Sequence, residues 1–432
     1  MPELPIATGF YEDASKPISA QECTNWIPQV PQTTGLSQMQ LIGTPGISSF
    51  ATAGAKICRG FHVMDSLAYS VNGNVLYRVN EDGTTTNLGA ITGSGRVSMA
   101  DNGTQICIVV PNSTAYIYTV AGGLVIITDT DFTTTLGPSE QVVFKDGYFV
   151  HFNNNSAAST SPIFFVSSLN DGTAYAALDF GTAEVDPDAI TGLHVNKNQL
   201  YVGGNITIEP FQNIGGADFP FQRIPGAVMQ KGIKAKFSLA EFDNTFDFVG
   251  AGLNEKASGW RASGGGTAKI STAAIDNVIQ SMTADEIDDI YSTTYAENGG
   301  YFVNFHLIDR TFTYDTAASV LSGKPAWHER KSKDSSGGLT NWRVNHIIDA
   351  YGVNLVGDNQ SGSIGQLDRT VYTEYGDSIN RAVSPQQFSG QGRRVTVSEM
   401  ELTCESGTAI TTGVGSDPNI ARSFSDDGGY TS

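Results

Sequence analysis

Six dipeptides that favour a left-handed backbone punctuate this chain: Asn72-Gly73, Asp82-Gly83, Asn102-Gly103, Asp146-Gly147, Asp171-Gly172 and Asn298-Gly299. Each offers the positive φ that a tight hairpin loop requires and that most residues resist. The runs between them alternate with a period of two, as half-buried strands do. In Val75–Val79, the residues Val75, Tyr77 and Val79 are expected on one face and Arg78 on the other. Comparable runs are Ala115–Tyr118, Tyr148–Val150, Leu200–Val202, Phe246–Phe248, Tyr301–Val303 and Asn354–Val356. A chain cut in this way is confined to short antiparallel strands, and a helical bundle is excluded.

The runs also recur. Tyr77 and Tyr118 lie 41 residues apart, and Phe149, Tyr201, Phe248, Phe302 and Leu355 follow one another at intervals of 47–54. A unit of that length, holding strands and turns, is the signature of propeller blades. The expected fold is therefore all-β, a β-propeller of six or seven blades. One helical episode interrupts it, at about 271–291: Ile275, Val278, Ile279 and Met282 share a helical face. Thr283-Ala-Asp-Glu286 then forms a capping box, with Ile287 and Ile290 beyond it. A helical insertion packed on the propeller is the plain reading, and a docking element for a neighbouring subunit the sharper one. Residues 1–50 read as an arm, since Pro2, Pro5, Pro17, Pro28, Pro31 and Pro45 remove donors and favour extended backbone. The propeller is expected over 51–405, and residues 406–432 as a C-terminal hairpin.

Composition agrees. Of 432 residues, 40% are hydrophobic, enough for a large core, while only 16% are charged and 48 are glycine. With 25 basic and 44 acidic residues the net charge is −19, which repels phosphate backbones and anionic lipids. The start, Met1 to Pro5, lacks the basic and apolar stretches of a signal peptide, and no apolar run is long enough to span a bilayer. Cys23, Cys58, Cys107 and Cys404 stand apart without metal-ligand spacing, so reduced thiols and synthesis in a cytoplasm are expected. No cofactor or metal is called for.

Several places invite a chemical reading. Phe221-Gln222-Arg223-Ile224-Pro225 resembles the Arg-Ile-Pro tripeptide of sialidases, and Ser425–Thr431 matches the Asp box that decorates them and other propellers. The Asp box closes a turn and carries no chemistry, and two further arginines and a Tyr–Glu pair would be needed. Asp285, Glu286, Asp288 and Asp289 surround a helix start, where acidic side chains complement the macrodipole; the spacing is not that of a calcium loop. Asp243, Asn244 and Asp247 read as a turn between strands. Trp327-His328-Glu329-Arg330, Lys331, Lys333 and Trp342-Arg343 form the one basic cluster. It suits either base stacking or a Trp anchor covered by arginine stems. Ser263–Gly266 lacks the GK[ST] of a phosphate loop. The expectation is no catalytic residue and no enzyme.

Gly93-Ser-Gly-Arg96-Val-Ser-Met-Ala100 resembles a segment of the packaged-DNA stabilisation proteins of short-tailed phages. Thr44-Pro45-Gly46, Arg59-Gly60, Met229–Ile233, Thr283–Glu286 and Trp327–Arg330 fall in the same order as in that family, so the resemblance spans about residues 20–370. It implies a structural virion protein, a tail hub or head-completion factor with a propeller-like fold. Copies would form a ring of six below the portal and its adaptor, close the conduit over packaged DNA, attach tail fibres, spikes or a needle, and take part in genome ejection. DNA would pass without sequence-specific binding; the composition adds the expectation of a lumen lined by acidic side chains, and the prolines that of an arm crossing onto a neighbour. The family usually continues past the point where this chain stops, at Ser432, so an incomplete last unit is expected. A sialidase-like glycosidase and a non-catalytic glycan-binding tail protein are the alternatives. Neither involves a membrane.

Overall fold

A computed structural model describes residues 8–16, 18–31, 33, 39–183, 185–186, 188–216, 219–242, 244–263, 265–387, 412 and 420–425. Cys404 and all of the expected C-terminal hairpin except residues 412 and 420–425 lie outside them.

Among the described residues seven sheets of four or more strands follow one another in chain order, opening on Cys58–Met64, Ser98–Asp101, Val142–Lys145, Ile190–Asn196, Gly232–Ile233, Tyr291–Glu297 and Val344–Ala350, and a two-stranded sheet pairs Trp26–Gln29 with Gln40–Gly43. Six open on a continuous strand. In the fifth the opening is broken into Gly232–Ile233 and Ala240–Phe242 by the short 3₁₀ turn Lys236–Ser238. Each sheet is an antiparallel meander, and the opening strands pack against one another around a common axis. This is the β-propeller that the spacing predicts.

Five of the six turn dipeptides behave as read: Gly73, Gly83, Gly103, Gly147 and Gly299 all have positive φ. Asp171-Gly172 does not. The left-handed residue there is Asn170, at φ 57°, and Gly172 lies inside the strand Asp171–Thr182. Glycine is needed there for space, because a Cβ would sit 2.5 Å from Ile117 Cδ1 and 2.9 Å from Phe149.

The expectation of half-buried strands needs a larger correction. Leu76, opposite the predicted apolar face of Val75–Val79, is fully buried, and Val75 is not. The reason is that both faces of a blade pack against neighbours. In Gln105–Val109, Ile106 and Ile108 enter the core shared with the first sheet, while Cys107 and Val109 enter the core shared with the third. Ile163 and Phe165 likewise face one way, Phe164 and Val166 the other. Alternation therefore distributes apolar residues between two cores instead of between core and water. Seven such clusters fill the seven junctions between adjacent sheets.

The ring is closed by the chain's beginning. Gly46–Thr52 adds as the fourth strand of the seventh sheet, antiparallel to Ser363–Asp368, with Ile47 opposite Leu367 and Ala51 opposite Ile364. The boundary expected at residue 50 falls inside this strand, so the arm ends earlier. Its described part stays on its own chain: Ala20–Thr24 pairs with Ala382–Ser384 and, at Thr24, with Glu329 of the sixth sheet. Phe10 donates its N–H to Trp327 O at 2.7 Å.

The helical insertion is present as Ala273–Ser281 and Ala284–Asp288, between the fifth and sixth sheets. Ala274, Ile275 and Ile279 are buried in that junction. Thr283 and Glu286 make both halves of the capping box. A further helix, Thr316–Ser322, and a π-helical turn, Asp131–Leu136, were not legible in the sequence. Among the described residues no helix is long and apolar enough to cross a membrane.

Candidate functional site

The axis of the ring holds a partly open cavity of about 200 Å³. The first sheet contributes Gly60 and Phe61, and the second Val97, Ser98 and Met99 with Arg96 just before them. Phe237 enters from the 3₁₀ turn of the fifth, Ser292 from the sixth and His346 from the seventh. The opening strands are crowded at Gly60, since a Cβ there would meet Val97 Cγ2 at 2.3 Å.

Arg96 is the permanent charge of this cavity. Its Nη2 donates to Asn345 O at 2.7 Å and to Asn345 Oδ1 at 2.9 Å, and its Nη1 contacts His346 Nε2. The guanidinium stacks on Tyr291, 3.8 Å from the ring centroid, and lies 5.7 Å from that of Phe237. Desolvation brings its pKa down to about 10. Burial, and then Arg96 and His306, hold His346 well below the usual imidazole range, so the ring is neutral at pH 7. Its Nδ1 lies 3.8 Å from Cys58 Sγ, whose pKa burial raises to about 11. Such a thiol is a packed side chain, not a nucleophile.

The residues quoted for a sialidase are not brought together. Arg223 sits on Phe221–Arg223, the last strand of the fourth sheet, half-exposed and paired with Glu209 at 3.4 Å. Among the described residues one arginine lines the axial cavity, where that chemistry needs three, and Tyr291 beside it stacks on the arginine instead of pairing with a glutamate. Of the Asp box only Ser425 is described.

The basic cluster turns out to be interior. Trp327, His328, Glu329, Arg330 and Trp342 are all buried. Arg330 stacks on Trp342 at 3.6 Å and donates to Pro45 O at 3.1 Å, while Trp342 Nε1 donates to Glu374 Oε1 at 3.0 Å. Arg343 grips Asp358 through two bonds of 2.8 Å. Asn25 donates to Lys331 O at 2.9 Å and to Asn380 O at 2.7 Å. These residues clasp the entering and leaving segments to the last two sheets, so base stacking is overturned and the anchor reading stands. Asp247 is also corrected. It is a strand residue, fully buried and paired with Arg261 through two bonds of 2.7 Å, and its neighbour Asp243 lies outside the described residues.

Two buried histidines imitate catalytic pairs. His151 lies 3.0 Å from both Ser139 Oγ and Tyr175 OH, and His306 sits between Thr293 and Thr311. Burial depresses both rings, His151 to about 3. Ser139 Oγ donates to Gln141 O at 2.9 Å, so its hydrogen is turned away from the imidazole. Cys23, Cys58 and Cys107 are free and buried. The acidic residues around 285–289 include the capping Glu286, and Asp288 is pushed up by burial.

A closed ring of antiparallel sheets packed side by side about a common axis is a β-propeller. The family model described as "Bacteriophage P22 Gp10, beta-propeller" matches residues 2–372, and the chain belongs to that phage stabilisation family. The resemblance carried by Gly93–Ala100 and the motifs after it is thereby met. The "Tail hub protein gp10" of Salmonella phage P22 is 24% identical over 365 residues, covering 81% of this chain and 72% of that protein. Two solved structures are more distant. The extracellular domain of the one-component system BT4673 from B. thetaiotaomicron has a TM-score of 0.46 at 12% identity, over 74% of this chain and 40% of that one. The WD40 β-propeller domain of Doa1 has a TM-score of 0.42 at 12% identity, over 74% and 96%.

Proposed function

We propose that this chain is a tail hub protein of a phage virion and that it acts by assembly, without turnover. The family match over residues 2–372 carries this reading. Copies associate as a ring, six in number, below the portal and its adaptor. The ring stabilises the packaged genome, passes it during ejection and anchors tail fibres, spikes or a needle. Synthesis takes place in the host cytoplasm.

The physical character of the molecule supports such a part. Sheets buried on both faces and locked by the chain's own start resist deformation under load. A net charge of −19 keeps the surface from capturing DNA, because contacts with phosphates are repulsive on balance. Exposed apolar side chains such as Val120, Val125 and Leu178, on the second and third sheets, leave surface for protein contact.

Electron microscopy of the purified chain with a cognate portal–adaptor complex tests the proposal. The expected result is a ring docked on the adaptor, and a gel-shift assay at low salt should show no retention of duplex DNA. A chain that stays monomeric and never joins the adaptor would defeat the hub reading. Hydrolysis of a fluorogenic sialoside, lost in Arg223→Ala, would replace it with the enzyme.

A further inference from the structure

We infer that the axial cavity is an anion site, in which Arg96 holds one small oxyanion of the inorganic phosphate class. The first support is electrostatic. Arg96 is half-buried, and a guanidinium partly withdrawn from water gains from an opposite charge beside it. Among the described residues Arg96 forms no ion pair, and its acceptors, Asn345 O, Asn345 Oδ1 and His346 Nε2, are all uncharged. Arg343, Arg261 and Arg310 each face a carboxylate, whereas Arg59 and Arg330, like Arg96, are held by uncharged acceptors. The second support is space. The guanidinium borders a cavity of about 200 Å³, where a water takes about 30 Å³, so a tetrahedral oxyanion fits with part of its hydration. The third is the wall. No carboxylate lines it, and Arg96 is its permanently charged member. Burial and Arg96 keep His346 neutral, so its second nitrogen accepts from the guanidinium and fixes its plane. Tyr291 backs one face of that plane, and Asn345 and His346 hold its edge.

Phosphate and sulfate also stabilise proteins by exclusion from their surfaces, an effect that does not saturate. The test is therefore saturable binding. Inorganic phosphate is titrated into the full chain at constant ionic strength and followed by calorimetry and ³¹P line width. The expected result is one site per chain in the millimolar range, weakened at least tenfold in Arg96→Gln. Should that variant not fold, Ser292→Asp decides: it supplies the missing negative charge from within the wall, so it should abolish phosphate binding, while Ser292→Asn retains it. A wild-type chain without saturable phosphate binding overturns the inference. So does binding that Arg96→Gln or Ser292→Asp leaves unchanged.

Discussion

At the scale of single residues, the buried carboxylates Asp358 and Asp247 are each paired with an arginine across strands. Asp358 is fully buried and receives two bonds from Arg343, so removing the arginine strands a carboxylate in the interior. Arg343→Ala is expected to cost about 3–5 kcal/mol, whereas the double change Arg343→Met with Asp358→Leu should be far milder, because it removes both charges and keeps volume. Urea denaturation of the two variants checks this; equal losses would mean that packing, not charge, matters there. The sequence displays Trp342-Arg343 as part of a basic cluster but not its purpose. Its partners Asp358 and Glu374 come from other strands, and pairing across a blade depends on register that no local pattern reveals. Arg96 was hidden for the same reason. It lies in Gly93–Ala100, which marks the family, yet its chemistry exists only once ring closure brings Phe237, Ser292, Asn345 and His346 around it.

At the scale of elements, local signals were read well wherever the physics is local. Five turn dipeptides and the Thr283 capping box act within a few residues, and all appear as expected. Thr283→Ala should lower stability by about 1 kcal/mol, the usual cost of a lost cap, while Thr283→Ser should be nearly silent in the same melt. Signals that depend on the far side of the fold were misread. The alternation around Leu76 looked half-polar because nothing in the strand announces a second core behind it. The closing strand Gly46–Thr52 looked like part of a Pro-rich arm, since its partner Ser363–Asp368 lies some three hundred residues onward. That strand should be the most sensitive one. Ile47 is buried in the junction of the last two sheets, and its carbonyl accepts from Tyr375 N at 2.9 Å. Ile47→Asp is expected to cost at least about 4 kcal/mol, combining a lost apolar side chain with a buried charge. Limited proteolysis should then cut near residue 52 before any blade core; cleavage spread evenly over the chain would contradict this zipper role.

At the scale of the whole molecule, stability should collapse in mild acid, and the cause is distributed around the ring. Of the six histidines, three are fully buried and two half-buried: desolvation lowers His151 and His328 to about 3 and His194 to about 4, and puts His306 and His346 well below the ordinary value. The unfolded chain protonates them near pH 6.5, the folded one does not, so below that pH unfolding takes up protons and stability falls. His151, His328 and His194 then each contribute a loss on the order of 2 kcal/mol by pH 5, and His306 and His346 act in the same direction. Carboxyls raised by burial, such as Asp315 and Glu374, bind protons earlier in the folded state and oppose this trend. Their ordinary range is near 4, however, so most of the histidine effect comes first. The melting temperature should therefore drop steeply between pH 6.5 and 5. His328→Leu isolates one contribution, because both ring nitrogens of His328 lack a hydrogen-bond partner and nothing is lost with them. That variant should match the parent at pH 7.5 and exceed it at pH 5.5. A melting temperature that stays flat across this window, or a variant that gains nothing in acid, would show that the buried rings accept protons without opening the ring.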